Sequence, residues 1–127
     1  MSLTESQHTG EFIIAEPEPK ISRQTVTVTV AAGVKLEPGH VMSALAATGK
    51  YVEYDNAGTD GSESADGVLY GECDNTAGVA PADFTAVVLT RLAVVRKADL
   101  QWASGVDAGG KTAAYSDLAA SMLIAQD

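Results

Sequence analysis

Thr25-Val26-Thr27-Val28-Thr29-Val30 is the stretch that decides the fold. Polar and apolar residues alternate along it, and all of them are β-branched, which is typical of a half-buried β-strand. We therefore expect the three valines to face the core and the threonines to face outward. Arg23 and Lys35 flank the segment and reduce the risk that so regular a strand aggregates.

Several shorter segments after this stretch also have strand character, and polar, glycine-rich loops separate them. The predicted strands are Val41–Leu45, Tyr51–Tyr54, Val68–Tyr70, Ala86–Leu89 and Ala93–Val95, and the predicted loops are Asp55–Gly67 and Asp74–Asp83. Near the C-terminus, an alanine-rich pattern predicts a helix over Thr112–Ala120, with Asp107 as its N-cap. Met122–Ala125 is then a closing strand. The pattern as a whole predicts a mainly β domain of short strands with one short C-terminal helix, over residues 23–127.

Residues 1–22 are predicted to form an extended N-terminal arm. Glu11-Phe12-Ile13-Ile14-Ala15 is followed by Glu16-Pro17-Glu18-Pro19. Each proline disfavours helix in the residue before it, so this stretch should be extended. The apolar triplet has two explanations that remain compatible: it packs on its own domain as a short strand, or it adds a strand to the sheet edge of a partner.

The composition excludes several classes of function. The chain has 127 residues and a formal net charge of -9, from 17 acidic and 8 basic side chains. This balance argues against a nucleic-acid partner, because binding phosphates requires a clustered basic face. No apolar run reaches the roughly 18 residues of a membrane span. The single cysteine, Cys73, cannot form an internal disulfide.

Two motifs suggest ligands, and both fail in their context. Gly105–Thr112 fits the pattern of a phosphate-binding loop, with Lys111 to reach the phosphates and Thr112 to hold magnesium. Only 15 residues follow Thr112, too few for a nucleotide-binding parallel sheet. The acidic loop Asp55–Gly67 lacks the ligand spacing of a calcium-binding EF-hand. We therefore expect no cofactor and no metal.

No catalytic set is predicted from the remaining reactive side chains. Neither His8 nor His40 has a cysteine or histidine nearby at the spacing of a metal site. Cys73 lies between two acidic residues, which lower the reactivity of a thiol. Trp102 and the tyrosines leave one alternative open, a platform for carbohydrate or another small ligand, although single aromatic residues are more often part of the core.

The order of these short motifs resembles that of the head decoration proteins of tailed bacteriophages. The resemblance extends from about Glu11 to about Ala125. It rests on Glu11-Phe12-Ile13-Ile14, Gly39 with Val41, Gly49-Lys50-Tyr51-Val52, Asp60-Gly61-Ser62, Gly67-Val68-Leu69-Tyr70, Ala86-Val87-Val88 with Arg91, Leu100 with Trp102, Lys111-Thr112-Ala113-Ala114, and Leu123-Ile124. The sequence departs from the family pattern at Leu92, Ala93, Ala103 and Gly109-Gly110.

The resemblance implies a β-clip fold and a homotrimer that sits on the exterior of the virion head after assembly in the host cytoplasm. There it would stabilise the expanded shell against the pressure of packaged DNA, without catalysis. The implied partners are the major capsid protein and further copies of the chain, with no direct contact to nucleic acid or membrane. By position, the arm residues that contact the capsid are Glu11, Phe12, Ile13, Ile14 and Ala15. A ligand-binding β module, a nucleotide-binding protein and another virion component remain the alternatives.

Overall fold

A computed structural model describes residues 8–127 of the chain. Short strands dominate it, as the alternating segments predict. The strands are β1 (Ile13–Ala15), β2 (Arg23–Val30), β3 (Lys35–Leu36), β4 (Val41–Ala44), β5 (Tyr51–Glu53), β6 (Gly67–Leu69), β7 (Cys73–Asp74), β8 (Ala82–Leu89), β9 (Ala93–Arg96) and β10 (Leu123–Gln126). The helices are α1 (Pro19–Ser22) and α2 (Ala108–Ala119), and Lys97–Asp99 forms a 3-10 turn.

Five strands close into a barrel in the order β2-β5-β4-β6-β8. Its longest ladder is antiparallel and joins β2 to β8 along all 8 residues of each strand, from Arg23↔Leu89 to Val30↔Ala82. Val28 and Val30 are buried in the barrel, Val26 is half-buried, and Thr25 and Thr27 are exposed. The predicted orientation of this strand is therefore confirmed.

A second, three-stranded sheet lies beside the barrel in the order β1-β9-β10. Its central strand, β9, pairs antiparallel with β1 and parallel with β10. Strands β3 and β7 form a further two-stranded sheet, which the sequence analysis did not predict.

The buried apolar side chains form two clusters. One fills the barrel and consists of Val28, Val30, Leu36, Met42, Leu69, Cys73 and Val88. The other joins the barrel, the three-stranded sheet and α2, and its members are Phe12, Val41, Tyr54, Ala65, Val68, Leu89, Ala93, Val95, Leu100, Ala114, Leu118 and Leu123. Since the second cluster takes residues from all three units, burial of its apolar surface fixes the sheet and the helix against the barrel.

The C-terminal helix is confirmed with a longer span than predicted. Asp107 is its N-cap, and its carboxylate accepts a hydrogen bond from the backbone N–H of Gly110 at 2.8 Å. The helix therefore begins at Ala108, before the predicted start, despite the low helix propensity of its two glycines. Gly110 is buried, and its carbonyl accepts a hydrogen bond from the Tyr54 hydroxyl at 2.8 Å.

Two predictions need correction. Glu16–Pro19 was expected to be extended throughout, but Pro19 begins a one-turn helix that Glu18 caps by accepting from the N–H of Lys20 at 3.2 Å. Proline suits the first helical position, where its missing N–H costs nothing. Strand β8 begins at Ala82 rather than Ala86, because its partner β2 pairs with it along its whole length. The predicted loop Asp74–Asp83 is correspondingly shorter. The description of the domain as a β-clip stays a prediction.

Replacing Gly67 by a residue with a side chain should destabilise the fold for a steric reason. A Cβ atom there would lie 2.5 Å from Val88 Cγ1 and 2.6 Å from the backbone oxygen of Leu89. We expect Gly67→Ala to lower the free energy of unfolding by about 1–3 kcal/mol, as overpacking of a core does. Gly105→Ala is the matched control, because no atom lies within 4 Å of the added carbon. Chemical denaturation of both variants measures the difference, and equal stabilities would contradict the packing seen around β6.

Candidate interaction surface

The predicted contact segment divides between the core and the surface. Phe12 is 0% exposed and belongs to the core cluster shared by barrel, sheet and helix, and Ile13 packs against that cluster. Glu11 and Ala15 are exposed, and Ile14 is 42% exposed. In this structure the segment is thus anchored on its own domain by Phe12 and Ile13, and it presents Glu11, Ile14 and Ala15 to the outside.

The exposed part of the segment continues onto neighbouring strands. Ala15 pairs with Val94 of β9, and Val94 pairs in turn with Ile124 of β10, so these three side chains share one face of the sheet. Ile14 lies at the irregularity of the β1–β9 register, next to this face. Val94 is half-buried and Ile124 is 38% exposed. We call Ile14, Ala15, Val94 and Ile124 the outer sheet face.

Two more large apolar residues stand at one end of this face. Leu92 and Met122 directly precede β9 and β10, and they are 37% and 63% exposed. Both adopt left-handed backbone conformations, with φ of 53° and 61°. For a residue with a side chain, this conformation costs about 1–2 kcal/mol. The backbone is therefore strained at the two positions where these side chains are exposed. With Leu92 and Met122, the exposed apolar surface extends beyond the outer sheet face.

A charged network ties the segment after β1 to the barrel. The Arg23 guanidinium donates to Glu16 Oε1 at 2.7 Å and to Oε2 at 3.0 Å, and Ser22 Oγ donates to the same carboxylate at 2.5 Å. The Glu16 side chain is only 7% exposed. The hydrogen bond from Arg23 holds the pKa of Glu16 below its ordinary value. Arg23 also lies over the ring of Tyr70, 4.1 Å from its centre. These contacts fix the course of the chain between β1 and β2.

The motif Gly105–Thr112 does not form a phosphate cradle in this fold. The Asp107 carboxylate occupies the helix N-terminus, where a phosphate would otherwise accept from the N–H of Gly110. Lys111 Nζ lies 5.6 Å from the centre of the Trp102 ring, and the Thr112 hydroxyl donates to the carbonyl of Ala108 at 3.1 Å. The groups that would bind a nucleotide thus serve to cap and pack α2, which disfavours the nucleotide-binding alternative.

The aromatic side chains do not form a flat, exposed platform around Trp102. Its ring meets Tyr54 and Tyr115 edge-to-face, with centroids 6.2 Å and 5.7 Å apart. Trp102 and Tyr115 are partly buried against the core cluster that contains Tyr54. Stacking on a sugar requires an open ring face, so this arrangement favours the expected role in the core over carbohydrate binding.

The titratable side chains of the described residues are dispersed. No group of three or more His, Cys, Asp or Glu residues that could hold a metal ion occurs within residues 8–127. In the loop after β5, Asp60 Oδ1 accepts from Ser62 Oγ at 2.6 Å, and Asp66 Oδ2 accepts from the N–H of Ala44 at 2.7 Å. Burial and the nearby Glu72 raise the pKa of the Cys73 thiol. Over the same residues, no helix is long and apolar enough to cross a membrane.

His40 is the most unusual of these groups. Its side chain is 8% exposed, Nε2 lies 3.8 Å from the Glu53 carboxylate, and this nitrogen has no hydrogen-bond partner among the described residues. Burial lowers the pKa of His40 to about 4 and raises the pKa of Glu53. At neutral pH the imidazole is therefore uncharged. His40 then does not form an ion pair with the Glu53 carboxylate.

The described part of the chain is a small β-rich domain with an apolar exposed sheet face, and its sequence matches a model of structural proteins of bacteriophage heads. The matching family is described as bacteriophage lambda head decoration protein D, and the match covers residues 2–123. The chain belongs to this family, as its motif order indicated. No curated protein matches the sequence.

Sequence reasoning found only half of the outer sheet face and missed the apolar residues at its end. It singled out Ile14 and Ala15 from the apolar triplet, but it did not connect them with Val94, Ile124, Leu92 or Met122. The pairing β1-β9-β10 brings together segments that are far apart in the chain. The available signal was Met122-Leu123-Ile124, an apolar run too long for a strand with only one buried face.

Phe12 and Ile14 should differ sharply in their effect on stability. We expect Phe12→Ala to lower the free energy of unfolding by about 3–5 kcal/mol, since it empties a buried site. Ile14→Ala should change it by less than about 1 kcal/mol, because the side chain is already partly hydrated. Denaturant titration of both variants tests this, and an unchanged Phe12→Ala variant would mean that the segment is detached in the free protein.

Acid should destabilise the fold through His40. Its folded pKa of about 4 lies below the ordinary value of 6.5. The unfolded state therefore binds more protons, and stability falls as the pH falls through this window. From pH 6.5 to 5 the loss is roughly 1–2 kcal/mol for this shift.

Urea titrations at several pH values measure how the free energy of unfolding depends on pH. The His40→Gln variant should show a weaker dependence than the wild type. Glu53 acts in the opposite sense, because its raised pKa makes folding more favourable as the carboxyl becomes protonated. Glu53→Gln in the wild-type background should therefore steepen the acid dependence. An identical slope in the wild type and the His40→Gln variant would show that the imidazole is not buried in the neutral form.

Proposed function

We propose that this chain is a head decoration protein that binds the outside of the expanded capsid as a homotrimer and stabilises the shell against the pressure of packaged DNA. The membership of the family over residues 2–123 supports this most strongly. In this role the protein binds the major capsid protein and its own copies, and needs neither catalysis, nor a cofactor or metal, nor contact with nucleic acid. It would act on the exterior of the virion head, after assembly in the host cytoplasm.

The outer sheet face is the surface that we assign to the capsid. It contains Ile14 and Ala15, which lie in the predicted contact segment Glu11–Ala15, and it continues through Val94 to Ile124. Burying exposed apolar side chains favours association in proportion to the area removed from water. Phe12, although it belongs to the predicted segment, supports the surface from beneath rather than touching the shell.

Strand addition is the proposed mode of contact. Within residues 8–127, β1 is the outermost strand of its sheet and pairs only with β9. Its other edge offers backbone groups to which an extended segment of the capsid protein can bind. The predicted arm, residues 1–22, would contribute through its exposed part, while residues 1–7 lie outside the described region. This division between arm and domain remains a proposal.

Trimerisation would allow individually weak contacts to hold the protein firmly on the capsid shell. One sheet face with few exposed apolar side chains binds weakly by itself. Three copies held together engage the shell at once, and linked sites raise avidity by a factor of about 100 to 10,000 over one site. The trimer thus accounts for firm binding without any deep pocket at the contact.

Head binding should depend on the exposed apolar side chains of the outer sheet face. We expect the variant Ile14→Ser with Ile124→Ser to bind undecorated expanded heads at least about tenfold more weakly, since apolar contact area is lost at every copy. Cosedimentation with heads, followed by imaging of the decorated sites, measures occupancy. Val79→Ser is the matched control, because Val79 is 99% exposed on the β7–β8 loop.

The choice of point variants avoids a loss of fold. Deleting residues 1–20 would also remove Phe12 from the core, so reduced binding by that truncation would not identify the contact. Circular dichroism and light scattering should show the double variant folded and as oligomeric as the wild type. Full decoration of heads by the double variant would contradict the assignment of this face, and no decoration by the wild type would contradict the proposed function.

A further inference from the structure

A groove opens where two strands of the barrel part. Strands β2 and β5 run parallel and pair at a single position, Val28↔Tyr51. Beyond it, β2 continues to Val30 and β5 to Glu53, with no further residue pair between them. The loop 103–106 bounds the same space from the other side. The result is an open groove of about 640 Å³.

The walls of the groove are largely apolar. They come from the end of β2 and the following loop, from the residue after β4, from β5 and the loop after it, and from the loops before β8 and α2. The apolar residues that line it include Ala31, Val34, Leu45, Val52, Pro81 and Val106. An occupant with apolar side chains would therefore remove hydrocarbon surface from water on both walls.

The charged residues along this groove all have the same sign. Glu53, Asp55 and Asp60 line it, and no lysine or arginine is among its lining residues. The hydrogen bonds from Ser62 lower the pKa of Asp60, so this carboxylate stays ionised at neutral pH. The groove thus combines apolar walls with uncompensated negative charge.

Glu53 lacks a partner of its own in the fold. Its carboxylate makes no hydrogen bond to any described residue, and its neighbour at 3.8 Å is the Nε2 atom of His40. That nitrogen has no hydrogen-bond partner either, and the imidazole is 8% exposed. The Glu53 side chain is 31% exposed, so a cation in the groove can pair with its carboxylate.

We propose that the groove binds an extended segment of the capsid shell that carries a lysine or arginine between apolar side chains. This proposal rests on the proposed function and names a second contact, separate from the outer sheet face. The chain's own residues 1–7 contain no lysine or arginine side chain. A second copy of the chain is the competing occupant, and the oligomeric state of the variants tests it.

The variant Glu53→Gln with Asp55→Asn tests the proposal while keeping side-chain size. Asparagine preserves the hydrogen bond that Asp55 Oδ1 accepts from the N–H of Ala57. The matched control is Glu72→Gln with Asp74→Asn, which removes the same charge from residues that do not line the groove. Both variants, and the wild type, are titrated onto undecorated expanded heads at low and high salt.

We expect the groove variant to bind heads about tenfold more weakly at low salt, and the difference from wild type to shrink at high salt, since salt screens exposed charge pairs. The control should bind as the wild type does. If the groove variant decorates heads with wild-type affinity while the wild type binds normally, the groove proposal is wrong and the proposed function stands. If the wild type itself does not bind heads, both fail.

A second measurement identifies the chemistry of the occupant. A synthetic peptide of alternating lysine and valine is titrated into the labelled protein, and amide chemical shifts are followed by nuclear magnetic resonance. Shifts centred on Val52, Glu53 and Val106, absent with a glutamate-valine peptide and lost in the groove variant, would support the proposal. No shifts there, or a change of oligomeric state in the groove variant that places a second copy in the groove, would overturn it.

Discussion

The antiparallel ladder between β2 and β8 is the interaction on which the rest of the structure depends. It joins eight residue pairs, and its valines fill the barrel from one side. Each end of the ladder leads directly to one of the two proposed contact surfaces. At one end, the N–H of Thr90 donates to the carbonyl of Ser22 at 2.9 Å, which sets α1 beside the start of β9. At the other end, β2 passes Val30 and forms one wall of the groove. A register shift by one residue would displace both surfaces and turn the valines to solvent.

Local patterns were sufficient to predict the elements that carry a strong, regular signal. The alternation in Thr25–Val30 predicted the longest strand and its buried face, and Asp107 predicted the N-cap of α2. Boundaries that depend on a distant partner were missed. Strand β8 is longer than its apolar run because β2 pairs with all of it, and β3 and β7 are too short to give any pattern. Pro19 was assigned to extended chain because the rule for the residue before a proline outweighed the suitability of proline for a helix start.

The candidate surfaces were harder to predict because each combines residues that are distant in sequence. The apolar triplet located Ile14, but the sheet that joins it to Ile124 depends on β9 lying between two strands from opposite ends of the chain. Ile13 packs against the core within this pairing, and Phe12, in the turn just before β1, is buried in the same cluster. The groove has no local signal at all. It exists because two parallel strands meet at one residue pair and then diverge, a consequence of barrel closure rather than of any motif.

The two proposed contacts would contribute to shell binding in different ways. The outer sheet face offers apolar area and an open strand edge, and such contacts depend little on salt and slow dissociation once formed. The groove offers Glu53, Asp55 and Asp60 between apolar walls, and charge complementarity of this kind governs the association rate and the choice of partner. A trimer would present three copies of each. Since the domain has a net charge of -9, a basic segment on the shell would attract it from a distance, whereas apolar contact would hold it after docking. Two modest contacts of different physical origin therefore give a specificity that a single apolar patch would not provide.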